Sequence, residues 1–164
     1  MSEKPKRPGS VALGWWSANI GQRDVPVARA LVARLRRAAP MAVLSEPRVQ
    51  DLARNLDLGP HKAEEIVRLA VLLAEVRETS SEPLASRLGG DDPVLSQLRF
   101  QRLLRAEGDD LTAQLRRAIS MADRRCNVAA LAADLLYWEA ARPRWCFQYY
   151  GADVPQKDFE ETTE

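Results

Sequence analysis

The residues able to carry chemistry are few and scattered. The single histidine, His61, sits beside Lys62, with Glu64 and Glu65 following. A His–Glu set on one exposed turn supplies two or three ligands, a poor metal site, and a surface role accounts for it better. One histidine leaves no convincing Ser-His-Asp or Cys-His set. The pairs Asp91-Asp92 and Asp109-Asp110 resemble acid/base carboxylates, but each falls where a helix should begin, and helix starts favour Asp without catalysis. Cys126 and Cys146 lack the second pair that a disulfide framework or a four-ligand zinc site needs. The eight glycines are scattered and form no phosphate-cradling loop. These residues point to no enzyme, no metal and no cofactor.

Arginine is the residue type that stands out. Of 24 basic residues, 20 are Arg and four are Lys, so the cationic surface consists of planar donor forks suited to phosphate and carboxylate. The net charge of +1 hides an uneven distribution. Residues 29–54 hold six Arg against Glu46 and Asp51, and residues 99–125 hold seven Arg against four acids. Arg34, Arg36 and Arg37 fall on the polar side of a helix whose other side is Leu31, Val32 and Leu35. Arg99, Arg102 and Arg105 recur at i, i+3, i+6, a stripe along one helix face with no acid inside it. Arg116 and Arg117 follow on the next helix, where antiparallel packing can bring the two groups onto one surface. A phosphate backbone would bind such a surface without sequence readout. A charge run is also commonly a solvated face, and on pattern alone the two readings stand level.

The elements that must position these arginines read as helices almost throughout. Apolar residues recur at spacings of three and four, and alternating β-branched runs are scarce. The spacing predicts helices near residues 11–20, 25–39, 45–56, 63–76, 93–106, 109–121 and 127–140, with a further short one after Pro83. Pro40 should stop the second, Ser45-Glu46-Pro47 should cap and open the third, and Pro143 should interrupt the last. The segment 63–76 is apolar around more than half its circumference and should be deeply buried. Trp15-Trp16 and the cluster Trp145, Phe147, Tyr149, Tyr150 could stack bases, but at helical spacing they suit a core better. Residues 49–73 have a faint helix-turn-helix look without a basic second helix.

The fold class expected is all-α, a compact bundle of about eight to nine helices in two closely packed lobes. Residues 1–10 form a basic, flexible N-terminus, 11–80 an N-terminal lobe, 81–150 a C-terminal bundle, and 151–164 an acidic, flexible tail. With 164 residues, 46% hydrophobic and 29% charged, the chain is globular in composition. Its longest stretch free of charged residues, 8–22, is too short and polar for a membrane span. The apolar part of that stretch is also too short for a secretory signal, so a cytoplasmic location is expected.

The run Leu98-Arg99-Phe100-Gln101-Arg102-Leu103-Leu104-Arg105-Ala106-Glu107, then Leu111 and Gln114-Leu115-Arg116-Arg117, resembles the CasB family, the small subunit of the type I-E CRISPR surveillance complex Cascade. In order with it stand Gly14-Trp15-Trp16, the 33–38 run Ala-Arg-Leu-Arg-Arg-Ala, Leu84-Ala85-Ser86-Arg87-Leu88, residues 128–138, and Trp145 with Tyr149-Tyr150. The resemblance covers roughly residues 13–150. It implies a non-catalytic helical subunit of antiviral defence. Such a subunit sits as a pair against the backbone and large subunits, meets crRNA only indirectly, and stabilises the R-loop through basic residues on DNA. The family's basic positions fall on Arg36, Arg37, Arg99, Arg105, Arg116 and Arg117. Arg102 joins them by its place on the stripe, and Arg142 and Arg144 lie in a C-terminal region where the family often carries basic residues. The competing expectation is a helical protein–protein adaptor whose Arg faces meet acidic partner surfaces.

Overall fold

The computed structural model describes residues 7–151, so the first six residues of the basic N-terminus and all of the acidic tail beyond Gly151 lie outside the described residues. The described chain is all-α apart from one two-residue ladder. Its helices are α1 (Pro8–Asn19), α2 (Pro26–Arg37), α3 (Pro40–Leu44), α4 (Pro47–Asn55), α5 (Ala63–Glu75), α6 (Leu84–Leu88), α7 (Gln97–Arg105), α8 (Gly108–Met121), α9 (Val128–Leu136) and α10 (Trp138–Tyr149). A 3-10 turn at Pro60–Lys62 leads into α5. Short strands β1 (Glu78–Thr79) and β2 (Arg125–Cys126) pair in parallel, Glu78 opposite Arg125 and Thr79 opposite Cys126. Among the described residues no helix is long and apolar enough to cross a membrane.

Proline writes the boundaries of the first half. Helices α1 to α4 and the 3-10 turn each begin on proline, at a position whose missing N–H would have had no intrahelical acceptor. Pro8, Gly9 and Ser10 are therefore helical, although the sequence placed them in the N-terminal arm. Pro40 does more than stop α2. The residues before it, Ala38 and Ala39, are extended, as the pre-proline clash demands, and Pro40 opens the unanticipated α3. Ser45 does not cap α4; its hydroxyl donates back to the Met41 carbonyl at 2.7 Å. The last expected boundary is also corrected. The break falls at Tyr137 (φ −129°, ψ 51°), and Pro143 lies inside α10. Pro143 and Glu139, whose carbonyl loses its partner, are both on the exposed side, where water replaces the lost bond.

Helix α5 is the axis of the core. From Leu69 to Val76 every residue is buried, and α2, α3, α4, α8 and α9 all pack on it. One continuous cluster runs from Ala12 to Tyr149, so the core crosses the 79–82 link. Two glycines allow close approaches: a Cβ on Gly9 would sit 2.6 Å from the Ala129 carbonyl oxygen, where α1 lies on α9, and one on Gly89 would sit 1.9 Å from that of Tyr149. The Gly90 N–H donates to the same Tyr149 oxygen at 2.8 Å, and the Tyr149 ring stacks on Phe100 at 4.0 Å. Cys126 is buried, and burial pushes its thiol up to about 12.

The C-terminal helices are locked by one buried carboxylate. The Trp145 indole N–H donates to Asp134 Oδ2 at 2.7 Å and Arg144 Nη1 to Oδ1 at 3.0 Å. Burial pushes the Asp134 carboxyl above its ordinary value, against the pull of the Trp145 bond and the Arg144 charge. The native chain thus holds this proton more tightly than the unfolded chain. The group's contribution to stability declines as pH rises from the ordinary aspartate range through the raised value. Replacing Asp134 by Ala should cost about 1–3 kcal/mol, because the Trp145 N–H is left buried without an acceptor. Asp134→Asn should cost less and should lose that decline with pH; urea melts of the three chains across the acid range measure both effects.

Candidate nucleic-acid interface

The C-terminal end of α5 sets up the densest basic region. A helix ends in carbonyls without intrahelical partners and with negative dipole charge. Here they are met from several directions. The Trp16 indole N–H reaches the Leu73 and Val76 oxygens at 3.1 and 3.2 Å, and Arg23 Nη2 reaches those of Ala74 and Val76 at 3.0 and 3.1 Å. To this negative end the sequence adds the Glu75 side chain, only 2% exposed. Arg36 Nε from α2 donates to Glu75 Oε1 at 3.2 Å, and Arg116 Nε from α8 lies 3.5 Å from the same oxygen. Arg124 Nη1 closes on Oε2 and stands 3.4 Å from the Glu75 carbonyl oxygen.

Backbone strain delivers Arg124 to this point. Asp123 and Arg124 both have left-handed backbones (φ 58° and 57°), costing about 1–3 kcal/mol each. The turn is held by the Arg124 N–H on Ile119 O at 2.9 Å and by the Arg77 N–H on Arg124 O at 2.8 Å. The β1–β2 ladder continues the tether.

Two adjoining depressions result. One, of about 400 Å³, is lined by Arg36, Glu75, Arg116, Arg117 and Arg124. The other, of about 470 Å³, shares Arg36 and adds Arg23, Arg29 and Arg77. Glu75 is the one acid on either lining. The crowding registers in Arg23, whose guanidinium is pushed below its ordinary value by burial first and then by the charges of Arg77, Arg36 and Arg124. Such a surface offers guanidinium forks suited to a phosphate.

The other arginines singled out by sequence divide into two groups. Arg99, Arg102 and Arg105 are exposed along α7, whose buried side is Phe100 and Leu103, and among the described residues none has an acidic partner. No hydrogen bond or ion pair among the described residues joins this stripe to the Glu75 group. Arg37 is exposed beside Arg36. Arg142 and Arg144 are tethers: Arg142 Nη1 donates to the Leu104 carbonyl at 3.2 Å, at the end of α7, and Arg144 pairs with Asp134. Arg34 is held by Glu46 through two bonds of 2.9 and 3.1 Å.

The remaining candidates have structural duties or surface positions. Trp15 and Trp16 are buried, their indole N–H groups on Arg48 O at 2.8 Å and on the end of α5, so neither is a stacking platform. His61 is exposed, and among the described residues no three His, Cys, Asp or Glu side chains group as metal ligands. Asp109 and Asp110 sit in the first turn of α8, where Asp110 accepts from Gln114 at 3.0 Å. Sequence reasoning missed Arg23, Arg77, Arg124 and Glu75. A signal existed for the last: a lone carboxylate in the buried run 69–76 must find cations.

Known proteins share this sequence and this architecture. The sequence profile of CRISPR-associated protein Cse2 matches residues 31–150. A CRISPR-associated protein Cse2 from Thermus thermophilus is 27% identical over 168 residues, covering 96% of this chain and 98% of that protein. The crystal structure of CasB from Thermus thermophilus superposes with a TM-score of 0.70 at 26% identity, covering 90% of this chain and 100% of that one. A second solved chain from the same species, described as Cse2 family, gives the same TM-score and coverage at 25% identity.

The Glu75 group and the α7 stripe should respond differently to truncation. Arg124→Ala removes a charged hydrogen bond to a buried carboxylate and should cost about 1.5–3 kcal/mol in urea unfolding. Arg102→Ala, on an exposed face, should stay within about 0.5 kcal/mol of the parent in the same experiment.

Proposed function

The chain belongs to the CRISPR-associated Cse2 family, and from that premise we propose that it is a non-catalytic subunit of a type I-E Cascade complex that stabilises the R-loop by gripping DNA through its arginine surfaces. The observation that carries the reading is the convergence of Arg36, Arg116 and Arg124 on a single buried acid, with Arg117, Arg23 and Arg77 lining the two depressions beside it. The stripe of Arg99, Arg102 and Arg105, without acidic partners among the described residues, supplies a second run of positive charge. Such surfaces suit phosphates and not base edges, so the grip is independent of sequence.

The physical role follows from a near balance. An RNA–DNA hybrid is about as stable as the duplex it replaces, so modest backbone contacts tip strand exchange. With a net charge of only +1 the isolated chain binds weakly, and avidity inside the complex supplies the rest. Its partners in this reading are DNA, the backbone and large subunits, a second copy of the chain, and crRNA indirectly. The setting is the cytoplasm.

Mobility-shift titration of the full chain with single- and double-stranded DNA at several salt concentrations tests this. Binding should be sequence-independent and fade with salt. Each arginine replaced by Ala among Arg37, Arg99, Arg105 and Arg117 should lower the log–log salt slope by about 0.7–0.9. No binding at low salt, alone or in the assembled complex, would transfer the arginine surfaces to the adaptor role.

A further inference from the structure

Removing a negative charge from a basic surface ordinarily strengthens its hold on an anion. The geometry around Glu75 predicts the reverse. Arg36 and Arg116 both turn Nε toward Oε1 of Glu75, at 3.2 and 3.5 Å, and the side chains remain 40% and 41% exposed. Their Nη groups have no acceptor among the described residues. Each guanidinium thus turns its inner edge to the carboxylate, hydrogen-bonded in Arg36 and in ionic contact only in Arg116, and leaves its Nη groups for the depression. Arg124 is fixed from the far side by the other carboxylate oxygen and by its left-handed backbone. Nε of Arg116, directed at Glu75 but not hydrogen-bonded to it, and Nε of Arg23, in the adjoining depression, are buried without a hydrogen-bond partner among the described residues. The site thus combines fixed donors, an excess of positive charge and unmet hydrogen-bonding capacity.

We propose that the depression between α2, the C-terminal end of α5 and α8 is a seat for one phosphate group, with Arg36, Arg116 and Arg117 as its donors and Glu75 as the residue that positions Arg36 and Arg116. This rests on the DNA-gripping reading and deepens it, because the phosphate is a phosphodiester of the strand passing over the surface. Glu75 acts through the arginines and does not touch the ligand. Without it, guanidinium groups of like charge repel one another and regain the rotamer freedom that the carboxylate removes. Arginine is required at 36 and 116, because a planar fork serves carboxylate and phosphate with separate edges and a lysine ammonium does not.

Two variants of the full chain test the seat, each checked for a cooperative melt. Glu75→Gln raises the net charge by one, yet should weaken binding of a short single-stranded oligonucleotide and lower the salt slope. The double variant Arg36→Lys, Arg116→Lys keeps the charge and alters exposed side chains, so it carries the test even if Glu75→Gln does not fold. It should bind about 10-fold more weakly, the worth of one charge-assisted hydrogen bond. Millimolar inorganic phosphate should also raise the melting temperature of the parent above that in chloride of equal ionic strength, and not that of the lysine variant. Unchanged DNA binding by the lysine variant, with tighter binding by Glu75→Gln, would overturn the seat and leave the DNA reading intact. A parent that ignores DNA but is stabilised by phosphate through Arg36 and Arg116 would keep the seat, assign its phosphate to a free ligand, and overturn the DNA reading. A parent that responds to neither overturns both.

Discussion

A carboxylate buried at the negative end of the central helix is the constraint on which the basic half of this protein depends. Glu75 is 2% exposed and sits where the α5 carbonyls already concentrate negative charge. Stripping a carboxylate of water costs several kcal/mol, and only nearby cations with good geometry offset that. The chain supplies them from places far apart in sequence: Arg36 on α2, Arg116 on α8, and Arg124 on the turn after α8. Satisfying one buried acid thereby fixes how α2, α5 and α8 meet. Because the arginines outnumber the acid, the same interaction leaves a positive surface outside.

The remaining architecture serves that junction. Trp16 and Arg23 close the open carbonyls of α5, which ties α1 and the link to α2 to the same point. The β1–β2 ladder is too short to stabilise a sheet. Its effect is to hold the strained Asp123-Arg124 turn against the exit of α5. The α7 stripe is built on the opposite principle. Among the described residues its arginines have no acidic partners to order them.

What was legible in the sequence was local. The 3.6-residue period gave the helices, the apolar wrap of 63–76 gave the buried one, and the i, i+3, i+6 spacing gave the α7 stripe, because each depends on neighbours along the chain. Pro143 was misread because the penalty for proline in a helix depends on what the freed carbonyl faces, here solvent. The tethers of Arg142 and Arg144 were not legible, because their acceptors, the Leu104 carbonyl and Asp134, come into reach only when α10 packs. The Glu75 cluster was hidden for the same reason: its members lie as much as 49 residues from their acid. The family resemblance pointed to Arg36 and Arg116 without the carboxylate that holds them.

The central claim is that Glu75 orders the basic face before any ligand arrives. Hydrogen exchange of the arginine Nε–H groups, followed by ¹⁵N NMR on the full chain without nucleic acid, reads this directly. The Nε–H of Arg36 should exchange far more slowly than that of Arg102 on α7, and the difference should vanish in Glu75→Gln. Equal exchange at Arg36 and Arg102 in the parent chain would contradict the account.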